Sequence, residues 1–377
     1  MEKTDNFDYV FLIWGIPFRK GRGAVNKQIY SLANKLSQNN NKVGILYISY
    51  DSVAKKYNMI RNDPYFNFKL LISKFIYSRP ISCIVLYLYK KRGGKYINNR
   101  IKLLASGINL PQLIAKHIVT SYWWAVLLAS ERYPKENIYF ILYHDYSMDI
   151  KHSNIENIPK LEIAYKSSNL ILANRELGEK FGSKYPLITE GIDIEKFRCM
   201  DNINKIDDLV LVPLRSNPLK GAEYAISALK RIHEEFPEVK LVAFGDFGGK
   251  VPDFVDFRHV ISDEILREYY CKATYFILPS IIEGIPEPLL EAMAAGCACI
   301  STACGGSQEV INDGTNGIIV PVKDPDSMFM AFKKLYNVKD KTRYLMAEAM
   351  KSAVKFDLNR TYEDFINAIN FYTDKKK

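Results

Sequence analysis

The feature that most constrains this chain is an alternation, kept up over most of its length, of short apolar runs with segments of helical period. Val10–Gly15, Val43–Ser49, Ile138–Tyr143 and Leu170–Ala173 read as strands. Ala24–Ser37 reads as a helix, with Ile29, Leu32, Ala33 and Leu36 on one face, and so do Glu156–Ser167 and Arg175–Phe181. From residue 207 the series is cleaner. Strands Leu209–Leu214, Val239–Phe244, Tyr275–Pro279 and Cys297–Ser301 alternate with helices Gly221–Phe236, Asp263–Ala273 and Glu287–Ala295. A strand buried on both faces reads as an unbroken apolar run, and the intervening helices supply the crossovers that parallel pairing needs. The pattern predicts an α/β chain with two open parallel sheets in series, whose strand ends can face each other across a cleft. The polar segment Cys199–Asp208 reads as the linker. It separates a first domain, 1–198, from a second, 207–357, and a C-terminal helix near 358–377 is a candidate to pack back onto the first. Residues 50–110 break the alternation and read as a helical insertion.

Charge is unevenly placed. Residues 1–110 carry 19 Lys+Arg against 5 Asp+Glu, whereas the rest of the chain is slightly acidic within a net +10. Between Pro64 and Ser130 there is no acidic residue, and ten basic ones are interleaved with Tyr, Phe, Trp and Ile. Such a face suits an anionic membrane surface or a lipid-linked anionic substrate. A solvated face without a partner and nucleic-acid binding are the alternatives. No apolar run reaches the roughly 18–20 residues of a membrane span. The N-terminal run follows acidic residues, so it reads as a strand rather than a secretory signal. The six cysteines (Cys83, Cys199, Cys271, Cys297, Cys299 and Cys304) form no C-x-x-C pair and read as buried small hydrophobes rather than metal ligands or disulfides. A cytoplasmic location is expected, with possible peripheral attachment at the inner membrane face.

In open α/β sheets chemistry comes from loops that follow strands. After Leu209–Leu214 stands "RSNPLKGAEYAI", with Arg215 and Lys220 straddling the start of a helix. A planar guanidinium, an ammonium and a helix N-terminus together can hold a diphosphate, although surface cations are also common without a ligand. Further on, "EGIPEPLLEAMAAG" places Glu283 before a Gly/Pro turn and Glu291 one turn into a helix. A carboxylate can accept two adjacent ribose hydroxyls, and the turn can offer backbone N–H groups. Equally, the two glutamates could be a cap and a surface residue.

With these motifs the sequence resembles the retaining glycosyltransferases of family 4, which have the GT-B fold of two Rossmann-like domains with parallel sheets facing across a cleft. The resemblance covers nearly all of 207–325: Arg215, Lys220 and Gly221, "FGDFGG" at 244–249, the Glu-x7-Glu segment, and "GGSQEVINDGTNGIIVP". The N-terminal half matches more loosely. "GRGAVNKQIYSLANKL" resembles the glycine loop, keeping Gly23 but with Ala24 where a second glycine is usual, while "VTSYWWAVLLA" and "YFILYHDYSMD" resemble the rhamnosyltransferase-like branch.

The resemblance implies a nucleotide-sugar donor, a glycan or lipid-linked acceptor, and transfer with retention, the leaving diphosphate taking the acceptor's proton. By position, Arg215 and Lys220 would bind the diphosphate and Glu291 the ribose. Glu283 would touch the donor sugar, with backbone N–H groups from Gly284 and Ile285, and His144 would stand against that sugar. Gly23 would lie near the phosphates. Pro286 replaces a usual glycine and removes one N–H. No cofactor or metal is implied: "DPD" at 324–326 precedes a helix, where Asp is a routine cap. Two domains around a cleft imply closure on the donor. The rival readings are a non-catalytic binding protein of the same fold acting through its basic face, and a nucleic-acid-binding protein.

Overall fold

Buried strands and amphipathic helices alternate throughout the computed structural model, which describes residues 6–14, 24–48, 97–98, 100–106, 113–143, 145–147, 155–199, 205–259 and 262–375. Contacts group the chain into two compact units, Met1–Ile188 with Tyr362–Lys377, and Thr189–Thr361.

The first unit runs β1 (Asn6–Trp14), α1 (Ala24–Gln38), β2 (Val43–Ile48), β3 (Lys102–Ser106), β4 (Ile114–Thr120), α2 (Trp123–Ser130), β5 (Ile138–Leu142), α3 (Ile158–Lys166), β6 (Asn169–Leu172) and α4 (Arg175–Phe181). Its strands pair in parallel in the order β3-β2-β1-β4-β5-β6. The two-residue period of a strand divides β1 between two cores. Val10 and Leu12 face Trp123, Trp124 and Leu161 of α2 and α3, and Tyr9, Phe11 and Ile13 face Ile29, Leu32 and Leu36 of α1. Burying one such aliphatic side chain is worth roughly 1.5–3 kcal/mol.

The second unit runs α5 (Ile194–Phe197), β7 (Ile206–Leu214), α6 (Ala222–Glu235), β8 (Lys240–Gly245), β9 (Val255–His259), α7 (Asp263–Lys272), β10 (Ala273–Leu278), α8 (Glu287–Ala294), β11 (Ala298–Thr302), α9 (Ser307–Val310), β12 (Ile318–Val320), α10 (Pro325–Asn337) and α11 (Lys339–Ala353). The last helix, α12 (Leu358–Asp374), begins in the second unit and from Tyr362 belongs to the first. There Phe365, Ala368 and Ile369 join the α1-side core of the first sheet. The second sheet is also parallel, in the order β12-β11-β10-β7-β8-β9. Its central strand is again split, Leu209 and Leu211 facing one core and Val210, Val212 and Leu214 the other.

In each sheet the first strand lies between the second and the fourth, so the chain winds away in both directions from β1/β4 and from β7/β10. Ligands of such sheets bind at that switch point, beyond the carboxyl ends of the strands.

Three expectations need correction. Lys102–Ser106, inside the stretch read as a helical insertion, is an edge strand paired with β2; most of the remainder of 50–110 lies outside the described residues. The segment Cys199–Asp208, read as the linker, falls inside the second unit, which begins at Thr189; β7 starts at Ile206, and Cys199 is fastened by a disulfide to Cys271 of α7. The cysteine reading therefore fails for this pair. The Lys196–Asp263 ion pair at 2.6 Å and the bond from Arg267 Nη2 to Arg198 O at 2.8 Å hold the end of α5 against α7. The two Cα atoms come to 5.5 Å, within disulfide range. Cys297, Cys299 and Cys304 are free and buried, and Cys83 lies outside the described residues. No helix among the described residues is long and apolar enough to cross a membrane.

Candidate functional site

The loop after β7 begins with Arg215 and enters a single 3-10 turn, Pro218–Lys220, capped by the Asn217 side chain accepting from Leu219 N at 3.0 Å. Gly221 closes it at φ 66, a left-handed conformation in which a Cβ would also overlap the Pro279 carbonyl. This loop thus lies directly against the end of β10, and Ile281 N donates to Leu219 O at 2.8 Å. The two loops of the switch point are one stitched surface.

That stitching brings Lys220 to Glu283. Lys220 Nζ donates to Glu283 Oε2 at 2.6 Å, and Ser280 Oγ donates to Oε1 at 2.7 Å. The Glu283 side chain is 16% exposed and that of Lys220 31%, so the pair is partly buried rather than on open surface. The Glu283 backbone hangs from the loop after β11: its N donates to Cys304 O at 3.0 Å, and Thr302 Oγ1 donates to Ser280 O. Gly306 must be glycine for a packing reason, since a Cβ there would overlap the Gly284 carbonyl.

Glu291 lies one turn into α8, buried, and its Oε2 accepts from Tyr270 Oη at 3.0 Å. Tyr270 is completely buried; burial foremost, then the Glu291 charge, pushes its hydroxyl well above the ordinary phenol range, so it remains a donor. Arg215 offsets part of that shift and lies with its guanidinium 6.0 Å from the Phe244 ring centroid. Among the described residues it has no carboxylate partner within ion-pair distance.

Five predicted residues, Arg215, Lys220, Glu283, Gly284 and Glu291, therefore gather around the ends of β7 and β10. One expected detail differs. Lys220 is not an open cation beside Arg215 but is paired with Glu283. His144 and Gly23 lie outside the described residues. At "DPD", Asp324 caps α10 by accepting from Ser327 N at 2.9 Å, while Asp326 pairs with Arg231, so the two carboxylates point to separate tasks.

Sequence reasoning missed Glu190, Tyr270 and Ser280. Glu190 had a weak signal, a carboxylate among the apolar residues of "LITEGIDI", which also holds Asp193. It is 6% exposed, its Oε1 has no hydrogen-bond partner, and burial, followed by the Glu287 charge, raises it well above the ordinary carboxylate range.

The chain is similar to several known proteins. The chain is 26% identical over 226 residues to the N-acetylgalactosamine-N,N'-diacetylbacillosaminyl-diphospho-undecaprenol 4-alpha-N-acetylgalactosaminyltransferase of Campylobacter jejuni, covering 51% of this chain and 60% of that one. It is 29% identical over 168 residues to the phosphatidyl-myo-inositol mannosyltransferase of Mycobacterium tuberculosis, covering 41% and 44%. The chain spans about half the length of the curated relatives it matches. Among solved structures, Anabaena Alr3699/HepE in complex with UDP-glucose superposes with a TM-score of 0.68 at 15% identity, covering 97% of this chain and 100% of that one. The fold is thus that of the GT-B glycosyltransferases, and residues 209–338, which carry Arg215, Lys220, Glu283 and Glu291, match the family Glycosyl transferases group 1.

Proposed function

We propose that this chain transfers a sugar from a nucleoside-diphosphate donor to a glycan or lipid-linked acceptor, with retention at the anomeric carbon. The observation that carries the reading is the union of cations and carboxylates at the β7/β10 switch point, where Lys220 meets Glu283 at 2.6 Å and Glu291 is fixed by Tyr270. Arg215 and Lys220 hold the diphosphate and take up the charge that develops as the glycosidic bond breaks. Fixed cations in a water-poor crevice can do this at little reorganisation cost, and losing one such group typically costs on the order of 100–1000-fold in rate. Glu283, freed from Lys220 as the phosphates arrive, accepts from the sugar's hydroxyls. Glu291 accepts from the ribose. The acceptor takes its place on the same face as the leaving diphosphate, whose oxygen receives the acceptor's proton.

This assignment gives the charge-stabilising role to protein cations, so chelators should leave turnover unchanged. The acceptor class is supported by the names of the two curated relatives, which contain a diphospho-undecaprenol-linked saccharide and a phosphatidylinositol. The basic aromatic stretch 64–130 fits a lipid-linked acceptor at an anionic membrane face. Flotation with anionic liposomes, compared with neutral ones, tests that part.

The deciding experiment is a thermal-shift panel of UDP, GDP, dTDP and ADP against wild type and Arg215→Ala/Lys220→Ala. Stabilisation of wild type by one diphosphate, lost in the double variant, is the expected result. No shift by any of the four at millimolar concentration would remove the donor reading.

A further inference from the structure

We propose that Lys205 is a positioning residue for the ribose-binding carboxylate: its ammonium closes the C-terminal end of α7 and so sets where Tyr270 holds Glu291. The inference rests on the ribose reading of Glu291. α7 passes into β10 with no residue between them, Lys272 ending the helix and Ala273 opening the strand. The last carbonyls of a helix have no partner within it. Here the junction is also sealed from water, since Tyr270, Cys271 and Ala273 are completely buried. Buried carbonyls left unpaired are costly, so another group must serve them. The β7–β10 ladder does not do it, because its register slips between Ala273 and Tyr275, where Thr274 Oγ1 donates to Ile206 O at 2.9 Å.

Lys205, in the segment read as a linker, supplies the missing donor. It stands immediately before β7, and its Nζ donates to Tyr270 O at 3.0 Å and to Ala273 O at 2.7 Å. The Cys297 thiol, a weak donor, reaches the same oxygens at 3.3 and 3.4 Å. Among the described residues the ammonium meets these two carbonyls and, at 3.6 Å, the Cys297 sulfur, and no carboxylate. Its charge is therefore directed at the C-terminal end of a helix, where a cation is favoured.

Tyr270 is gripped at both its ends. Lys205 holds its carbonyl, and its hydroxyl donates to Glu291 Oε2 at 3.0 Å. The next residue, Cys271, is tied to Cys199, whose sulfur lies 3.3 Å from Ala295 O. Ala295 N in turn donates to Glu291 O at 3.0 Å. One cross-link limits how far α7 can drift but not its rotation about that link; the two bonds from Lys205 fix the rotation. A phenol is a long lever, so a small turn of its backbone carries the hydroxyl out of line with Glu291, and a hydrogen bond weakens steeply as it bends.

The test compares the full chain as wild type, Lys205→Met, which keeps the stem and removes the donors, and Lys205→Arg, which keeps both charge and donors. Calorimetry below the melting transition uses the nucleoside diphosphate selected by the thermal-shift panel and, beside it, inorganic pyrophosphate. Lys205→Met should bind the nucleoside diphosphate about tenfold more weakly, the fold-change of one hydrogen bond, and pyrophosphate as wild type does. Lys205→Arg should bind both like wild type. In a Tyr270→Phe background Lys205→Met should cost no further affinity, because Lys205 acts through that hydroxyl. A lowered melting temperature with an unchanged ratio of the two affinities marks a merely structural cap and overturns the proposal, and so do additive losses in the double variant. If Lys205→Met does not fold, Lys205→Gln, which retains a neutral donor, is read in the same way. Wild type that binds neither ligand defeats the donor reading and the proposal with it, whereas normal wild-type binding with an unchanged ratio in Lys205→Met defeats the proposal alone.

Discussion

Removing a single oxygen from Tyr270 tests how Glu291 is held. Tyr270→Phe keeps the ring, which packs edge-on near Phe197 and Phe244, so no cavity opens. What is lost is the 3.0 Å bond to Glu291 Oε2. Both residues are buried, Tyr270 at 0% and Glu291 at 3% exposure, so bulk water does not replace the hydroxyl. A hydrogen bond to a charged group contributes roughly 1.5–3 kcal/mol, and here the lower middle of that range, about 2 kcal/mol, is expected because Glu291 keeps its other contacts. Urea unfolding should show this as a lowered midpoint with an unchanged slope. A second readout separates site from scaffold. If Glu291 takes the ribose, a carboxylate released from Tyr270 presents its oxygens poorly, and nucleoside-diphosphate affinity should fall about tenfold, or 1.4 kcal/mol. Inorganic pyrophosphate has no ribose, so its binding at Arg215 and Lys220 should be unchanged. Equal weakening of both ligands in calorimetry, or unchanged stability, would refute the assignment of Tyr270 as the support of a ribose-binding carboxylate.

Two more substitutions probe neighbouring features. Gly306→Ala puts a methyl group into the Gly284 carbonyl at a backbone conformation (φ −56) that alanine tolerates, so its effect is purely steric. The donor turn must move, and nucleoside-diphosphate binding should drop by on the order of 100-fold in a protein that still folds; intact affinity would show that the turn is not a donor contact. Cys199→Ser/Cys271→Ser opens a link across a sequence separation of 72, for which loop entropy gives about 4 kcal/mol. Denaturant midpoints that coincide with those of oxidised wild type would argue against the link.

The legibility of the sequence tracked burial. β7, β8, β10 and β11 lie inside the second sheet and appear as apolar runs. α6 buries Ala225, Leu229 and Ile232 at helical spacing and was equally plain. The strands that escaped notice include the sheet edges. β9, Val-Asp-Phe-Arg-His, is largely exposed, and β12 has three residues, so neither leaves an apolar run. α2 was invisible for the opposite reason: six of its eight residues are buried, and a helix apolar all round has no period to read. At the site, Arg215, Lys220, Glu283 and Glu291 were recognisable because they share loops with local spacing. Tyr270 reaches Glu291 across 21 positions, and Cys199 reaches Cys271 across 72. Such relations exist only once the tertiary fold places them.

The first unit is written in two pieces, 1–188 and 362–377, while the second is one continuous stretch. This has a consequence for the nascent chain. As synthesis proceeds from the N-terminus, the first sheet emerges early, yet the surface that will receive Phe365, Ala368 and Ile369 stays bare until α12 has been made. The second unit, Thr189–Thr361, has all of its strands available before then and can complete its core first. The protein is therefore expected to mature in the reverse of its reading order, the later domain completing its core while the earlier one waits, apolar face uncovered, for α12.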